Sequence, residues 1–334
     1  MSTTKLPPLR FVPWVRPMVW GASNLTGSLG KVAAAAGNYG ESWELSDHPQ
    51  HASIVANGEI EKAYAGQSLR DLVSQKPEAI LGYADAAHGE RFPLLVKWLD
   101  AADWLSVQVH PDTEAVKRLL PGEGSKTEAW FVIKADPKSR IWAGLKPGVG
   151  EAELRAAIAS GNSADCLHSF TPQSGQFLFL PAGTVHAVGG GVLMAEIQQT
   201  SDATFRLFDW NRVDAHGKSR PLHIEESIGS VHWDKGPVNP ITIPGFGTST
   251  EPLHLDLCHC PFFRLVFERI AQPMSLGVSL APKIVMVLGG KGQLQAGGKS
   301  DPLRQGDTFL LPAECDPVTL VPNGVLELWI AATK

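Results

Sequence analysis

The chain has 334 residues, of which 43% are hydrophobic and 19% charged, with a formal net charge of -5, which is typical of a globular protein with one large or two medium domains. The negative net charge does not indicate a basic surface that would bind nucleic acid. No apolar run reaches the length of a membrane span. Residues 1–10 lack the apolar core of a secretion signal and four cysteines indicate no disulfide framework, so a cytoplasmic protein is expected.

Glycine and proline, with 33 and 25 residues, separate many short apolar runs, which predicts a turn-rich, mainly β protein built as a sandwich or barrel. Strands are predicted at 53–56, 94–99, 105–110, 128–133, 176–180, 191–198, 205–208, 263–269, 284–288, 292–296, 308–311 and 324–331. Few helices are predicted, at 68–75 behind a Ser-x-x-Asp capping pattern, at 112–120 and at 151–160, while 33–36 reads as a short helix or a loop.

One phrase occurs twice in the chain, as Gly-Gln-Phe-Leu-Phe-Leu-Pro-Ala at 175–182 and as Gly-Asp-Thr-Phe-Leu-Leu-Pro-Ala at 306–313. We interpret it as an internal repeat of one β-barrel unit. The first copy continues to His186, whereas the second continues into Glu-Cys-Asp and has no histidine. We therefore expect a catalytic domain at 1–240, with helical insertions, and a degenerate domain at 241–334.

Four side chains with metal-ligand chemistry stand at strand or strand-end positions: Gln108, His110, Glu128 and His186. Gln108 and His110 are two residues apart, so on a strand they share one face, between Val107 and Val109 on the other. A buried amide and imidazole are costly without a partner, and a divalent ion would provide one. The alternative is a pair of separate, hydrogen-bonded histidines inside the fold.

Two basic residues lie close to these candidate ligands in the sequence. Lys126 is two residues before Glu128, so on a strand it would face the same pocket, where a nearby cation would lower its pKa and make it a base. The alternative for Lys126 is a solvated surface charge. Arg206 follows the polar cluster at 200–202 and would bind an anionic group in a forked geometry, unless it pairs with Asp202 or Asp209.

Together these segments resemble the type I mannose-6-phosphate isomerases (phosphomannose isomerases), in their compact bacterial form. The resemblance covers most of the chain and is densest at 93–100, 105–112, 126–130, 179–186 and 196–206. Two features depart from the family pattern. Ser125 stands where glycine is commoner, and the segment 20–22 matches only loosely.

The resemblance implies two cupin (jelly-roll) domains and an isomerase of carbohydrate metabolism that interconverts mannose 6-phosphate and fructose 6-phosphate through a cis-enediol. It implies one Zn²⁺ per chain, held by Gln108, His110, Glu128 and His186. It also implies an active-site arginine at Arg206 and substrate-binding residues at Lys97, Glu41, Glu196, Trp20 and Asp202. Trp20 would stack on the sugar or belong to the core.

Several points stay open from the sequence. The proton carrier is Lys126, a carboxylate or a metal-bound water. The glutamine ligand argues against an iron oxygenase or another metal-dependent cupin enzyme. The complete ligand set argues against a non-catalytic relative that only binds sugar phosphates. The expected partner is a small sugar phosphate, with no nucleic acid and no membrane, in a monomer or a homodimer.

Overall fold

A computed structural model describes residues 5–86, 91–213, 217–277 and 279–333, and it is mainly β, as predicted. The strands are β1 (Trp14–Ala22), β2 (Tyr39–Leu45), β3 (Asp47–His48), β4 (His51–Ala52), β5 (Leu94–Ala101), β6 (Val107–Val109), β7 (Glu128–Ala135), β8 (Ile141–Leu145), β9 (Leu167–Phe170), β10 (Gln176–Leu180), β11 (His186–Val188), β12 (Val192–Gln199), β13 (Phe205–Phe208), β14 (Ile241–Thr242), β15 (Leu253–His259), β16 (Phe263–Ile270), β17 (Met274–Leu276), β18 (Lys283–Ala296), β19 (Lys299–Arg304), β20 (Thr308–Leu311) and β21 (Val318–Thr333). The α-helices are α1 (Leu69–Gln75), α2 (Pro77–Leu81), α3 (Tyr83–Ala86), α4 (Thr113–Leu119), α5 (Glu151–Ala159) and α6 (Ile224–Ile228). No helix in the described ranges is both long and apolar enough to span a membrane.

Three antiparallel sheets form the framework of the molecule. The first sheet has the strand order β1-β2-β5-β12-β7-β10-β14, and the second sheet has the order β13-β6-β11-β8-β9. The C-terminal sheet has the order β15-β16-β21-β18-β19, with β17 and β20 paired to β21 and β18. The strands β3 and β4 form a small separate ribbon.

The first sheet is covered on both faces, and its side chains alternate between two environments. On β7, Ala129 and Phe131 join the large core shared with the C-terminal sheet, whereas Trp130 and Val132 join the core shared with the second sheet. On β5, Trp98 points to the C-terminal side, and its neighbour Lys97 lines the internal cavity described below. Since neighbouring strand residues project to opposite faces, one strand serves both a packing interface and a cavity.

The contact between the first sheet and the C-terminal sheet is aromatic. The rings of Phe131 and Phe267 stack with centroids 5.9 Å apart, and Trp329 lies 6.0 Å from the same Phe131 ring. The buried ion pair of Arg269 and Glu327, 2.9 Å between Nε and Oε1, also holds the chain that enters this domain. Arg269 donates to the carbonyl of Pro244, and Glu327 accepts the backbone N–H of Gly247.

The outer face of the second sheet packs on helices α4, α5 and α6. Val107, Val109, Leu154 and Ile228 meet in this core. Helix α4 begins at its N-cap Asp112, whose side chain accepts the backbone N–H groups of residues 114 and 115, and this fixes the chain just after β6.

Most predicted elements are confirmed, including the strands at 176–180 and 205–208 and the helices at 68–75, 112–120 and 151–160. Both copies of the repeated phrase form a strand behind a glycine with positive φ, Gly175 at 82° and Gly306 at 96°. The two-domain division stays a prediction. Strand β14, just past its boundary, pairs with β10 of the first sheet.

Some of the predicted secondary structure needs correction. Residues 53–56 make only isolated bridges, because Ile54 and Val55 pair with separate residues of the chain, Ser68 and Phe11. Residues 33–36 form a loop, which is one of the two predicted alternatives. The predicted strands at 284–288 and 292–296 are one bulged strand, β18, and 324–331 is the end of the longer β21. Strand β6 covers only 107–109 of the predicted 105–110.

Candidate metal centre and active site

Three of the four predicted ligands meet in one buried cluster. The ligand atoms of His110, Glu128 and His186 all lie within 4.8 Å of one another. His110 Nε2 is 3.2 Å from Glu128 Oε2, and His186 Nε2 is 3.3 Å from Glu128 Oε1. The fourth, Gln108, places its side-chain nitrogen 3.2 Å from His186 Nε2. The sequence-based grouping of these four residues is thus matched by their positions.

The cluster lies between the two sheets that form the catalytic region. Gln108 on β6 is the cross-strand partner of His186 on β11, both in the second sheet. His110 follows β6 by one residue, on the face that Gln108 occupies. Glu128 begins β7 in the first sheet. An ion bound by these side chains would therefore bridge the two sheets.

Both imidazoles are held ready to coordinate an ion. His110 Nδ1 lies 2.8 Å from the carbonyl of Ala203, and His186 Nδ1 lies 2.9 Å from the carbonyl of Thr184. A carbonyl accepts only, so each Nδ1 carries the proton and each Nε2 presents its lone pair to the cluster. Burial, reinforced by Lys126, lowers the pKa of His110 to about 4, and burial also lowers the pKa of His186. Both rings are therefore neutral near pH 7.

The centre of the cluster contains polar atoms with unmet bonding capacity. Among the described residues, His110 Nε2 and both carboxylate oxygens of Glu128 have no hydrogen-bond partner, although all are buried. Burial alone would raise the pKa of Glu128, but Lys126 and His110 outweigh it and hold the pKa well below its usual range. A buried carboxylate facing two neutral imidazoles is a suitable ligand set for a divalent cation.

Gln108 completes a mixed nitrogen and oxygen ligand set. Ser106 Oγ donates to Gln108 Oε1 at 3.3 Å, and the amide nitrogen faces His186. A half-turn of the amide about its last side-chain bond would direct the oxygen to the cluster, which an ion would favour. Two imidazoles with two oxygen donors fit zinc and related divalent ions.

A cavity of about 310 Å³ opens beside this cluster. It contains every residue that the sequence analysis proposed for substrate binding or catalysis. These residues are Lys97, Glu41, Glu196, Trp20, Asp202, Lys126 and Arg206. Trp20 is buried in the core between the first and second sheets and also lines the cavity, and its stacking on the sugar stays a prediction.

Lys97 and Glu196 form a buried ion pair, with Lys97 Nζ 3.4 Å from Glu196 Oε1. Burial would lower the pKa of Lys97, but Glu196 and Glu41 outweigh it and raise the pKa to about 12. Burial and the nearby Glu128 raise the pKa of Glu196. Trp130 donates its indole N–H to Glu196 Oε2 at 2.9 Å, which fixes the carboxylate.

Lys126 is buried beside the ligand cluster, and the surface-charge alternative is wrong. Its Nζ lies 3.3 Å from Glu128 Oε2. Lys126 stands two residues before Glu128, which begins β7. The amine therefore lies next to the candidate metal centre and lines the cavity.

Arg206 lies on β13 directly opposite Gln108 on β6. Its Nη1 donates to the carbonyl of Pro221 at 2.9 Å. In the described residues Arg206 forms no ion pair with Asp202 or Asp209, and Asp209 binds Arg212 and Arg220 instead. Burial, then the nearby Arg220, lower the pKa of Arg206.

Other cavity residues were missed by the sequence reasoning, among them Arg16, Ser106 and Arg220. Arg16 donates to Glu41 at 2.8 Å, and its guanidinium lies 4.8 Å and 5.0 Å from the ring centroids of Trp14 and Trp43. Arg16 could have been recognised as a cavity residue because it is a basic residue in an aromatic-rich strand. Arg220 has no such signal, because it follows a segment without strand or helix periodicity.

The chain is similar to known mannose-6-phosphate isomerases. The family model "Phosphomannose isomerase type I, catalytic domain" matches residues 9–142. The chain is 36% identical over 309 residues to the mannose-6-phosphate isomerase of Streptococcus mutans, covering 91% of this chain and 92% of the relative. It is 34% identical over 309 residues to the Bacillus subtilis isomerase ManA, covering 91% and 93%. The crystal structure of a Bacillus subtilis mannose 6-phosphate isomerase superimposes with a TM-score of 0.81 at 28% identity, over 97% of this chain and 99% of that one.

Proposed function

The chain belongs to the type I phosphomannose isomerase family, and on that premise we propose that it interconverts mannose 6-phosphate and fructose 6-phosphate. The observation that carries the proposal is the convergence of the ligand cluster, Lys126 and Arg206 on one cavity. That cavity joins a metal centre, a proton carrier and a fixed positive charge, which are the components that aldose–ketose isomerisation needs.

We propose that the resident ion is one Zn²⁺ per chain, with Gln108, His110, Glu128 and His186 as its ligands. The neutral imidazoles and the orphaned carboxylate support this assignment. When bound, such an ion polarises the carbonyl and hydroxyl oxygens of the open-chain sugar and so acidifies the adjacent C–H bond.

Lys126 is the proposed proton carrier. As an amine it takes the proton from C2 of mannose 6-phosphate, while the C1 oxygen gains a proton, and a cis-enediol results. The same proton is then delivered to C1, and the hydroxyl at C2 loses its proton to become the ketone of fructose 6-phosphate. The position of Lys126, buried at the cavity wall beside Glu128, supports this role. Glu196, with its raised pKa and an oxygen without a hydrogen-bond partner, is the alternative carboxylate.

Arg206 is proposed to stabilise the negative charge that develops on the enediol oxygens. Its strand position opposite Gln108 places the base of its side chain one strand from the metal centre. Its guanidinium forms no ion pair with a carboxylate of the described residues, so its charge is available to a substrate.

The remaining cavity residues are proposed to bind the sugar. Lys97 is a charged donor fixed by Glu196, while Glu41 and Asp202 offer acceptors to hydroxyl groups. Trp20 offers an aromatic surface at the cavity wall. The C-terminal domain is proposed to lack a site of its own, and its interior in the described ranges is an apolar core.

A coupled isomerase assay on metal-loaded and chelated protein tests the proposal. We expect conversion of mannose 6-phosphate by the loaded protein, loss on chelation and recovery with Zn²⁺. Binding of fructose 6-phosphate without turnover by metal-loaded protein would instead establish a non-catalytic sugar-phosphate binder. Recovery with Fe²⁺ only, together with oxygen consumption, would identify another class of cupin enzyme.

A further inference from the structure

Positive charge is distributed unevenly around the catalytic cavity. On the side of the first sheet, each cavity cation has a carboxylate of its own. These pairs are Arg16 with Glu41 at 2.8 Å, Lys97 with Glu196 at 3.4 Å, and Lys126 with Glu128 at 3.3 Å. A substrate anion that recruited one of these cations would have to separate a partly or fully buried ion pair, which is costly.

The opposite wall of the cavity carries arginines in excess of the carboxylates that pair with them. Arg220 donates from Nε to Asp209 Oδ2 at 2.7 Å, and Arg212 also binds Asp209. Arg212 lies 3.5 Å from Asp103 as well, but that carboxylate is 59% exposed. Arg206 forms no ion pair in the described residues, and its buried Nε has no hydrogen-bond partner there. Within the described residues, the ion pairs of these three arginines use two carboxylates, Asp209 and Asp103, and Asp202, which also lines the cavity, pairs with none of them.

The backbone turns sharply to bring Arg220 to this wall. After β13, Trp210 and Asn211 adopt positive φ angles of 57° and 56°, which is rare for a bulky residue. The Trp210 indole donates to the carbonyl of Leu105 at 2.6 Å, and this holds the turn in place. Strained backbone of this kind concentrates at functional sites, where the surrounding contacts maintain it.

The chain then returns so that Arg220 and Arg206 become neighbours. The carbonyl of Pro221 accepts a hydrogen bond from Arg206 Nη1 at 2.9 Å. Arg220 uses two N–H groups on Asp209, one from Nε and one from Nη2. A guanidinium has five N–H groups, so three remain for a ligand. Asp209 is buried and holds Arg220 in a fixed orientation.

We propose that Arg220 recognises the phosphate group of the substrate, which extends the proposed function by assigning the phosphate end of the cavity. A phosphate monoester carries a charge of about -1.5 to -2 and accepts forked hydrogen bonds from arginine. Arg206 is the cross-strand partner of the proposed ligand Gln108, whereas Arg220 lines the same cavity from a segment outside these strands. The C6 phosphate is the end of the sugar farthest from C1 and C2, as this division requires.

The test compares R220M and R220Q with the wild-type, metal-loaded protein. The probe is mannitol 6-phosphate, which carries the phosphate but has no carbonyl and cannot be isomerised, and its affinity is measured by calorimetry. We expect both variants to weaken binding by about tenfold or more, since charge-assisted hydrogen bonds are lost. We expect kcat for mannose 6-phosphate to stay within about threefold of wild type, because Arg220 touches no reacting atom.

The matched control is R155M. Arg155 pairs with Glu225 and Glu151 on the protein surface and does not line the cavity, so R155M should bind the probe as the wild type does. Unfolding midpoint and zinc content confirm that each variant is folded. R220Q keeps an amide donor for Asp209, so its affinity for mannitol 6-phosphate tests the proposal if R220M does not fold.

Wild-type affinity in the folded R220 variants, or a fall in kcat at unchanged KM, would overturn the role of Arg220. That outcome is separable from failure of the proposed isomerase activity. If wild-type protein does not convert mannose 6-phosphate but R220M still loses mannitol 6-phosphate binding, the phosphate site is supported and the proposed isomerase activity is disproved.

Discussion

Lys97 and Glu196 lie directly opposite each other on β5 and β12, with their charged groups 3.4 Å apart at the wall of the cavity. The pKa of Lys97 is raised to about 12, so this lysine keeps its proton under all ordinary conditions. A permanently charged lysine is a hydrogen-bond donor and a poor base. The other buried lysine of the cavity is Lys126, which lies 3.3 Å from Glu128 in the candidate metal centre and is the proposed proton carrier.

We expect K126M to lower kcat by about 10²- to 10⁴-fold while its zinc content stays near wild type, since general-base catalysis contributes a factor of this size. The measurement is the rate of isomerisation together with deuterium uptake at C1 of fructose 6-phosphate in D₂O. Lys134, which is exposed on β7, provides the control K134M. If E196Q stops deuterium uptake while K126M allows it, Glu196 is the proton carrier.

Removal of a ligand should remove the ion. We expect H186A to lose both zinc and turnover, because its imidazole faces Glu128 at the centre of the cluster. Metal content by mass spectrometry and the coupled assay measure the two effects. The control is H254A, an exposed histidine on β15. Full activity with stoichiometric zinc in H186A would disprove the metal centre.

Loss of Arg206 should affect the reaction and not the ion. We expect R206A to lower kcat by about 10²- to 10³-fold, as for removal of a group that stabilises developing charge. Zinc content should stay near the wild-type value, since the guanidinium contacts a carbonyl and no predicted ligand. Zinc loss in R206A would show that the residue supports the fold of the site instead.

The buried imidazole of His110 predicts how the metal-free protein responds to acid. The pKa of His110 falls from 6.5 to about 4 on folding. Between these two values the unfolded chain binds a proton at His110 and the folded chain does not. The stability that neutral His110 contributes is fully present above pH 6.5 and is lost as the pH falls toward 4. Through this residue alone, the free energy of unfolding should fall by about 2 kcal/mol between pH 7 and pH 5.

Urea unfolding of chelated wild type and chelated H110Q at pH 7 and pH 5 measures that loss. The glutamine does not titrate, so H110Q should lose less stability than wild type over this interval. Equal losses in the two proteins would mean that His110 has an ordinary pKa in the fold.

The aromatic contact between the first and C-terminal sheets should carry much of the stability. F131A is expected to lower the free energy of unfolding by about 3–5 kcal/mol, because the ring is fully buried against Phe267 and Trp329. Denaturant unfolding followed by tryptophan fluorescence measures the change. Y83A, at a tyrosine that is 66% exposed, should have little effect. A change below 1 kcal/mol in F131A would show that the two sheets pack independently.

Much of the metal centre could be predicted from sequence because local alternation reveals it. Gln108 and His110 stand two apart in an apolar strand, and Lys126 and Glu128 repeat that spacing. The wall formed by Arg206 and Arg220 depends on a turn at Trp210 and on a salt bridge to Asp209, which local patterns do not encode. Similarly, β1 and β2 were missed, because their cavity-facing Arg16 and Glu41 interrupt the apolar pattern of a buried strand.

The alternation on β7 has a consequence for how this chain can change in evolution. Glu128 and Trp130 face the second sheet, while Ala129 and Phe131 face the C-terminal sheet. Insertion of one residue after Glu128 would exchange the two faces and turn Phe131 toward the second sheet. The packing on both faces would be damaged together, so changes in length should accumulate in the loops, and single-residue insertions should be excluded from this strand.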